Sequence, residues 1–138
     1  MINFKGKKIL ITGATGGIGK ALVKKFLSLD GTILATGTNT EKLDSLKKEF
    51  PNLNVLKFDI SDHNKIEDFI ENVSSQLVGL DVLVNNAGIT MDNLSLRMKD
   101  EEWKRVIDIN LSSTFYLCKH AIKKMLKNKY GRIVNITS

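Results

Sequence analysis

The 138-residue sequence is poor in residues that cross-link or interrupt a chain, since it has one cysteine, Cys118, and one proline, Pro51. A single cysteine excludes an internal disulfide and fits a reducing compartment. No apolar run approaches the roughly 20 residues of a membrane span, and the first residues lack the layout of a signal peptide. We therefore expect a cytoplasmic protein that does not enter a membrane.

Patterns for metal and nucleic-acid binding are also missing. His63, His120 and Cys118 have no partner residues at ligand spacing, so no metal site is expected. The formal net charge is +6, but no nucleic-acid motif or stripe of basic and aromatic residues accompanies it. A basic surface also suits acidic carrier proteins or phosphorylated cofactors, or it is a scatter of solvated lysines.

A glycine-rich loop is the most informative feature that the sequence contains. Residues 12–19, Thr-Gly-Ala-Thr-Gly-Gly-Ile-Gly, lie between an apolar run at residues 9–11 and an amphipathic segment at residues 21–29. A dinucleotide-binding loop requires this order of strand, glycine turn and helix. Glycines let the backbone approach a pyrophosphate, and the first N–H groups of the helix attract an anion. The alternative is a helix-start loop without a ligand.

Apolar and amphipathic segments alternate along the chain and predict one domain over residues 1–138. The predicted strands are residues 8–12, 32–36, 54–59, 81–85 and 132–137, and the predicted helices are residues 18–29, 39–50, 66–77 and 101–127. Thr38 and Glu41 are predicted to form a capping box on the second helix. The expected fold class is α/β, a doubly wound parallel sheet of Rossmann type with strand order 3-2-1-4-5.

Several further motifs follow the loop, namely Asp59-Ile60, Asn85-Asn86-Ala87-Gly88 and Asn110. Together with the loop they resemble the short-chain dehydrogenase/reductase family. The stretch from residue 88 to residue 103 is similar to that of the 3-oxoacyl-[acyl-carrier-protein] reductases within this family. The resemblance covers the whole chain but only the first part of the family's usual length. We therefore expect an incomplete domain, truncated after strand 5.

The resemblance implies a nicotinamide dinucleotide site along the loop and the strand ends. The implied cofactor-binding residues are Gly13, Thr15, Gly17, Ile18, Gly19, Thr38, Asp59, Ile60, Asn86, Ala87 and Gly88. Asp59 has the alternative role of a turn aspartate before Ser61. Asn85 has the alternative role of a purely structural tie between neighbouring backbone segments.

The choice between NADP(H) and NAD(H) depends on the end of strand 2. NAD-preferring relatives place an acid there to bond the ribose hydroxyls. This chain has Gly37 followed by Thr38 and Asn39, so repulsion against a 2′-phosphate is absent. Gly16 stands where many NADP enzymes have an arginine, and helix capping explains Thr38 equally well. The sequence favours NADP(H) over NAD(H).

Asn110 and Ser138 are the candidate catalytic residues. Asn110 interrupts an apolar helical stripe, where a buried amide without partners costs roughly 1–3 kcal/mol. Relatives use this asparagine to kink the helix and to hold a water, whereas the alternative is a satisfied core asparagine. Ser138 matches the family serine that hydrogen-bonds the substrate carbonyl at the end of strand 5.

The resemblance implies a reaction for the parent enzyme, the NADPH-dependent reduction of a 3-oxoacyl thioester on acyl-carrier protein in fatty-acid synthesis. The family's Tyr-x-x-x-Lys is not in the sequence, and proton donation needs a positioned acid. The chain alone is therefore expected to be inactive. The alternatives are a non-catalytic nucleotide-binding fragment and a reductase of the same family with another carbonyl substrate.

A basic cluster is expected to dock the acyl-carrier protein. Lys124, Lys127, Lys129 and Arg132 follow one another at the end of the last helix and the turn after it. An acidic carrier would be drawn to such a cluster, and Lys129 matches a basic position that relatives use for docking. The alternative is a set of cations that the dipole favours at a helix C-terminus.

The last helix is also expected to mediate self-association. In relatives its outer face packs against another subunit, and Phe115, Leu117 and Met125 are predicted to lie on that face. The resemblance therefore implies a homo-oligomer, which is a tetramer in the family. Ile133 and Val134 are predicted to lie on an open sheet edge, so the isolated chain is expected to aggregate or to pack poorly.

Overall fold

The computed structural model describes residues 1–137, which form a five-stranded sheet with helices on both faces. The strands are β1 (Lys8–Ile11), β2 (Thr32–Gly37), β3 (Asn54–Lys57), β4 (Val82–Asn85) and β5 (Arg132–Asn135). The helices are α1 (Gly17–Ser28), α2 (Thr40–Glu49), α3 (Ile66–Leu77), α4 (Asp100–Ile107) and α5 (Ser113–Lys127). A 3-10 turn at His63–Lys65 precedes α3, and a π-helical turn at Asp108–Ser112 joins α4 to α5.

The strand order is β3-β2-β1-β4-β5, and every neighbouring pair is parallel. The predicted α/β class and strand order are thereby confirmed. In the register of the sheet, Leu10 of β1 lies opposite Leu34 of β2 and Leu83 of β4. The chain turns to opposite sides after β1 and after β4, which opens a crevice at the carboxyl ends of these two strands.

Two apolar cores cover the two faces of the sheet, because successive side chains of a strand point to opposite faces. On β1, Leu10 belongs to one core and Ile9 and Ile11 belong to the other. The first core packs the sheet against α3 and α5, and the second packs it against α1 and α2. The crevice therefore lies at the edge of a sheet that is held rigidly from both sides.

The start of α2 differs from the prediction. The N-cap is Asn39, whose Oδ1 accepts a hydrogen bond of 2.9 Å from the backbone N–H of Lys42. Thr38 is exposed and makes no cap, so the predicted capping box of Thr38 and Glu41 is wrong. Asparagine is at least as good a cap as threonine, and Asn39 stands one residue nearer to the helix.

The segment predicted as one helix, residues 101–127, is helical throughout. It consists of α4, which begins one residue earlier, the π-helical turn and α5. Leu117, Ala121 and Met125 are buried against the first core, whereas Phe115 is 61% exposed. The prediction that Leu117 and Met125 lie on the outer face is therefore wrong. The helix carries apolar residues on two faces, and helical spacing alone does not say which of them packs against the sheet.

Candidate functional site

The glycine-rich loop leaves β1 and enters α1 at the carboxyl edge of the sheet. Gly13 has a φ of +59°, and a Cβ at this position would lie 2.7 Å from the Ala87 Cα. Its conformation and its close packing both require glycine. Gly19 is buried, and a side chain there would overlap the carbonyl oxygen of Gly13. Gly13 and Gly19 therefore serve the packing of the loop against itself and against the segment after β4.

Gly17 has a different environment from its neighbours in the loop. A Cβ built at Gly17 meets no atom within 4 Å, and both Gly16 and Gly17 are exposed. Gly16 is the N-cap of α1 and offers no side-chain hydrogen bond to the first N–H groups of the helix. Open space in front of uncapped helical N–H groups is the arrangement that accepts an anion. Ile18, which is 60% exposed, borders the same space.

Thr12 and Asn86 tie the loop to the segment after β4. The buried Thr12 Oγ1 accepts hydrogen bonds from the backbone N–H groups of Asn86 at 3.1 Å and Ala87 at 3.0 Å. The Nδ2 of Asn86 donates to the carbonyl oxygens of Thr12 at 3.2 Å and Gly13 at 3.0 Å. The amide group of Asn86 therefore holds the two switch-point loops together.

A pocket of about 300 Å³ lies at the ends of β1, β2 and β3. Most of the predicted cofactor-binding residues line it, namely Gly13, Thr15, Thr38, Asp59, Ile60, Ala87 and Gly88. Arg105 of α4 and Phe58 also line this pocket and were not among the predicted residues. Nothing in the local pattern of α4 distinguishes Arg105 from Lys104, so only the packing of distant elements reveals it.

Asp59 closes a turn directly after β3. Its Oδ1 accepts hydrogen bonds from the Ser61 hydroxyl at 2.7 Å and from the Ser61 backbone N–H at 2.9 Å. The side-chain bond and then the backbone bond from Ser61 lower the pKa of Asp59, with a further contribution from the charge of Arg105. Asp59 therefore has the alternative role named above, that of a turn aspartate before Ser61. The chain turns at this residue, and β3 ends at Lys57 rather than at the predicted Asp59.

A second cleft, of about 520 Å³, lies at the ends of β4 and β5. Its walls include Ile18, Asn86, Asn110 and Thr137. Ala87 and Gly88 line both this cleft and the smaller pocket, so the two cavities meet at the segment after β4. The predicted catalytic residue Ser138 follows Thr137 and lies outside the residues that the structure describes.

Asn110 lies in the π-helical turn and lines the second cleft. Its Oδ1 accepts the backbone N–H of Ile89 at 2.9 Å, and its Nδ2 donates to the Ile89 carbonyl oxygen at 2.8 Å. The helix is irregular at Asn110, because this residue lies in the π-helical turn. Asn110 is exposed, so the expectation of a buried amide is wrong, because this stretch of the helix borders the cleft instead of the core.

Asn85 links β4 to β5 and to α5. It is only 4% exposed, and its Nδ2 donates to the Asn135 Oδ1 at 2.9 Å and to the Cys118 Sγ at 3.3 Å. This is the structural tie that was the alternative for Asn85. Burial raises the pKa of the Cys118 thiol, and the hydrogen bond from Asn85 opposes that shift. The thiol is therefore protonated at neutral pH.

Residues 1–137 contain neither a metal-binding cluster nor a membrane-spanning helix. No group of three or more His, Cys, Asp or Glu side chains there could hold a metal ion. None of the helices in this part of the chain combines the length and the apolar character needed to cross a membrane.

The doubly wound parallel sheet, with its crevice between the loops after β1 and β4, defines the Rossmann-type class of α/β proteins. The chain belongs to the short-chain dehydrogenase family, since the family model described as short chain dehydrogenase matches residues 7–138.

Individual relatives agree with this assignment. The chain is 46% identical over 139 residues to the 3-oxoacyl-[acyl-carrier-protein] reductase FabG of Rickettsia conorii. This match covers 100% of this chain and 56% of that protein. It is 39% identical over 138 residues to the protein of the same name from Escherichia coli, covering 99% of this chain and 57% of that protein.

A solved structure from Agrobacterium tumefaciens, which carries a provisional gluconate dehydrogenase name, superposes with a TM-score of 0.93 at 32% identity. That match covers 99% of this chain and 55% of the other. The chain thus spans little more than half the length of these relatives.

Proposed function

We propose that this chain forms the nucleotide-binding part of an oxidoreductase that reduces a carbonyl group with a nicotinamide cofactor. The observation that carries the proposal is the meeting of two cavities at Ala87 and Gly88, beside an open glycine loop. One cavity is lined by Asp59 and Ile60, which we assign to the adenine side of the cofactor, and the other contains Asn110. A dinucleotide is an elongated ligand with two ends, which suits two connected cavities.

The residues present fit such a cofactor. The open space at Gly17 and the uncapped start of α1 suit the pyrophosphate. The pocket with Thr15, Asp59 and Ile60 would hold the adenosine end, and the cleft beside Ile18 would hold the nicotinamide end. When bound, the cofactor supplies the hydride for reduction of the carbonyl group.

We favour NADP(H) over NAD(H) for this site. β2 ends at Gly37 without a carboxylate that would repel a 2′-phosphate. Lys42 lies near Thr15 on the wall of a groove between α1 and α2, and it forms no ion pair within the described part of the chain. Lys20 lines the same groove but is paired with Glu49. Lys42 in this groove and Arg105 in the adjoining pocket are therefore the two cations that could attract a phosphate here.

The substrate that we propose is a 3-oxoacyl thioester on acyl-carrier protein. The support is the whole-chain similarity to reductases named for that substrate. Asn110 and Ser138 would be the catalytic residues that this chain contributes. The amide of Asn110 is held by Ile89, so its position in the cleft is set before any ligand arrives. Ser138 would hydrogen-bond the substrate carbonyl.

The basic cluster proposed to dock the acyl-carrier protein, called the docking patch here, has fewer free cations within residues 1–137 than the sequence suggests. Lys124 is paired with Glu71 of α3, which leaves Lys127, Lys129 and Arg132. α5 runs antiparallel to the strands, so this patch lies at the amino edge of the sheet, about 25 Å along the helix from Asn110. In a two-fold dimer built on α5, antiparallel helices would bring the patch of one copy towards the cleft of the other.

Calorimetric titration with NADPH tests the cofactor site. Gly17→Val places a branched side chain in the open space of the loop and is expected to lower the NADPH affinity at least about tenfold, which corresponds to 1.4 kcal/mol. Ala21→Val, at an exposed position of the same helix, is the matched control for the cost of a branched residue. Equal affinity in Gly17→Val and the parent would remove the loop from the site.

Reduction assays test the substrate in the protein that includes this chain. Oxidation of NADPH with an acetoacetyl thioester is expected, with little turnover of gluconate-type substrates. The opposite preference would favour the alternative, a reductase of the same family that acts on another carbonyl compound. A protein that binds NADPH but turns over no carbonyl substrate would favour a nucleotide-binding role.

A further inference from the structure

The π-helical turn Asp108–Ser112 is closed at its first carbonyl by a buried side chain. The Asp108 carbonyl oxygen accepts the backbone N–H of Ser113 and, at 2.8 Å, the Ser113 hydroxyl. Ser113 has no exposed surface, so its hydroxyl must find its partners inside the protein. The turn is therefore closed by a side-chain hydrogen bond as well as by a backbone one.

His63 reaches the same point from a distant part of the chain. Its Nε2 lies 3.2 Å from the Asp108 carbonyl oxygen and 3.0 Å from the Ser113 Oγ. A carbonyl can only accept, and the hydroxyl proton of Ser113 already points to that carbonyl. A proton on Nε2 of neutral His63 satisfies both contacts, because Nε2–H can then donate to the carbonyl or to the hydroxyl while the hydroxyl donates to the carbonyl. The ring also packs against Tyr116, with the two centroids 5.0 Å apart.

The histidine connects the two cavities of the candidate site. Its backbone N–H donates to the Ser61 carbonyl oxygen at 3.0 Å, and Ser61 is bonded to the carboxylate of Asp59. On the other side, the π-helical turn holds Asn110 against Ile89. A path of hydrogen bonds and the backbone between them thus runs from the turn at Asp59 to the π-helical turn that contains Asn110.

We propose that His63 is a positioning residue. Its hydrogen bonds to Asp108 and Ser113, called the lock here, hold the π-helical turn so that Asn110 keeps its place in the cleft. Through the same contacts, binding in the adenine-side pocket would change the environment of Asn110. The meaning of His63 for catalysis rests on the proposed function, since it acts through Asn110. The lock itself does not depend on any ligand, because every bond in the path lies within the protein. The lock and its coupling to nucleotide are therefore tested separately.

NMR of the histidine rings tests the lock in the unmodified chain. Long-range ¹H–¹⁵N correlation spectra, recorded above the ordinary pKa of histidine, distinguish the two neutral tautomers. We expect the Nε2–H form for His63. A ring protonated on Nδ1 would leave the Asp108 carbonyl without this donor and would overturn the proposal, whether or not the chain binds a nucleotide.

Hydrogen exchange of the Asn110 side-chain amide tests the positioning. His63→Phe keeps a ring beside Tyr116 but removes the donor, and it is expected to speed this exchange about tenfold, the equivalent of one hydrogen bond of 1.4 kcal/mol. His63→Gln restores an N–H donor and is expected to recover most of the protection. The matched control is His120→Phe, on α5 beside Glu67, which should leave the exchange unchanged.

Unchanged exchange at Asn110 in a folded His63→Phe chain would contradict the proposal. If that variant does not fold, the glutamine variant and the tautomer of the parent decide it. The coupling is tested with adenosine 2′,5′-bisphosphate, a probe that lacks the nicotinamide end. Its binding is expected to shift the Asn110 amide signals in the parent and less in His63→Phe. Equal shifts would overturn the coupling, whereas failure of the probe to bind would instead refute the proposed function.

Discussion

At the scale of single residues, the glycines of the loop after β1 have two different roles: some allow close packing of the backbone, and others leave open space at the start of α1. Gly13 and Gly19 are required because other backbone atoms of the protein approach them closely. Gly17 faces open space, so a side chain there would not meet other atoms of the protein. Under the proposed function, substitutions at Gly13 and Gly19 are expected to lower stability, and substitutions at Gly17 to lower nucleotide affinity.

The turn after β3 gives a pH-dependent prediction at the same scale. Ser61→Ala removes the hydroxyl that contributes most to lowering the pKa of Asp59. A carboxylate with a lowered folded-state pKa adds stability above its unfolded pKa, and that contribution is lost as the pH falls through the folded value. Ser61→Ala is therefore expected to be less stable than the parent at pH 7.

That difference should vanish as Asp59 becomes protonated, below the ordinary aspartate pKa of about 3.9. Urea denaturation at a series of pH values measures it. Because Asp59 is largely exposed, the effect is expected to be small. A stability difference that stays constant from neutral to acidic pH would show that the hydroxyl acts through packing and not through the charge of Asp59.

At the scale of the elements, the helices differ in whether a side chain accepts hydrogen bonds from their first backbone N–H groups. α2 is capped by Asn39, whereas α1 begins at glycines that offer no side chain. Asn39→Ala is expected to destabilise the protein by about 1 kcal/mol. Thr38→Ala, one residue earlier and outside the cap, is the matched control and should leave stability nearly unchanged. Thermal unfolding of the two variants checks this, and equal losses would show that both residues cap the helix.

The last helix shows how one element serves two surfaces. Leu117, Ala121 and Met125 fill the core, while Phe115 and Leu126 remain largely exposed on another face. The π-helical turn at Asp108–Ser112 changes the phase of the helix, because one extra residue per turn rotates the following side chains by about 100°. Asn110 is thereby placed at the cleft while the rest of the helix continues along the core.

At the scale of the whole molecule, an exposed apolar surface favours self-association. Its members are Trp103, Leu111, Phe115, Ile122 and Leu126 on residues 100–127. Several large apolar residues exposed on one helical segment are typical of an interaction site, so we expect an oligomer by light scattering at micromolar concentration. Phe115→Lys combined with Ile122→Lys is expected to reduce the mass. Leu96→Lys, at a fully exposed loop position, is the matched control. A monomeric parent chain would contradict the expectation.

The charge distribution gives a second prediction for the whole molecule. Lys127→Glu combined with Lys129→Glu is expected to weaken binding of an acidic acyl-carrier protein several-fold at low salt, with a smaller effect at high salt. Lys24→Glu combined with Lys25→Glu changes the net charge equally on α1 and is the control. Titrations at two salt concentrations measure the effect. If both double variants bind equally weakly, net charge and not the patch attracts the carrier.

Much of the fold follows from local patterns along the chain. The apolar strands, the amphipathic helices and the glycine loop each depend on residues close together in sequence, and the strand order then follows from the rules for parallel sheets. The predicted strand order is confirmed for this reason. The capping residue of α2 was wrong by one position, since the spacing of Thr38 and Glu41 suggested a capping box although the next residue, Asn39, is the better cap.

The sequence alone thus determined the class of fold, the family and the loop that marks the candidate site. Tertiary structure decided the rest, because those features depend on contacts between distant residues. Thr12 and Asn86 are 74 positions apart, and His63 and Ser113 are 50 apart, yet each pair is joined by a hydrogen bond. No local spacing encodes such pairs, because only the packing of helices on the sheet brings their side chains within bonding distance.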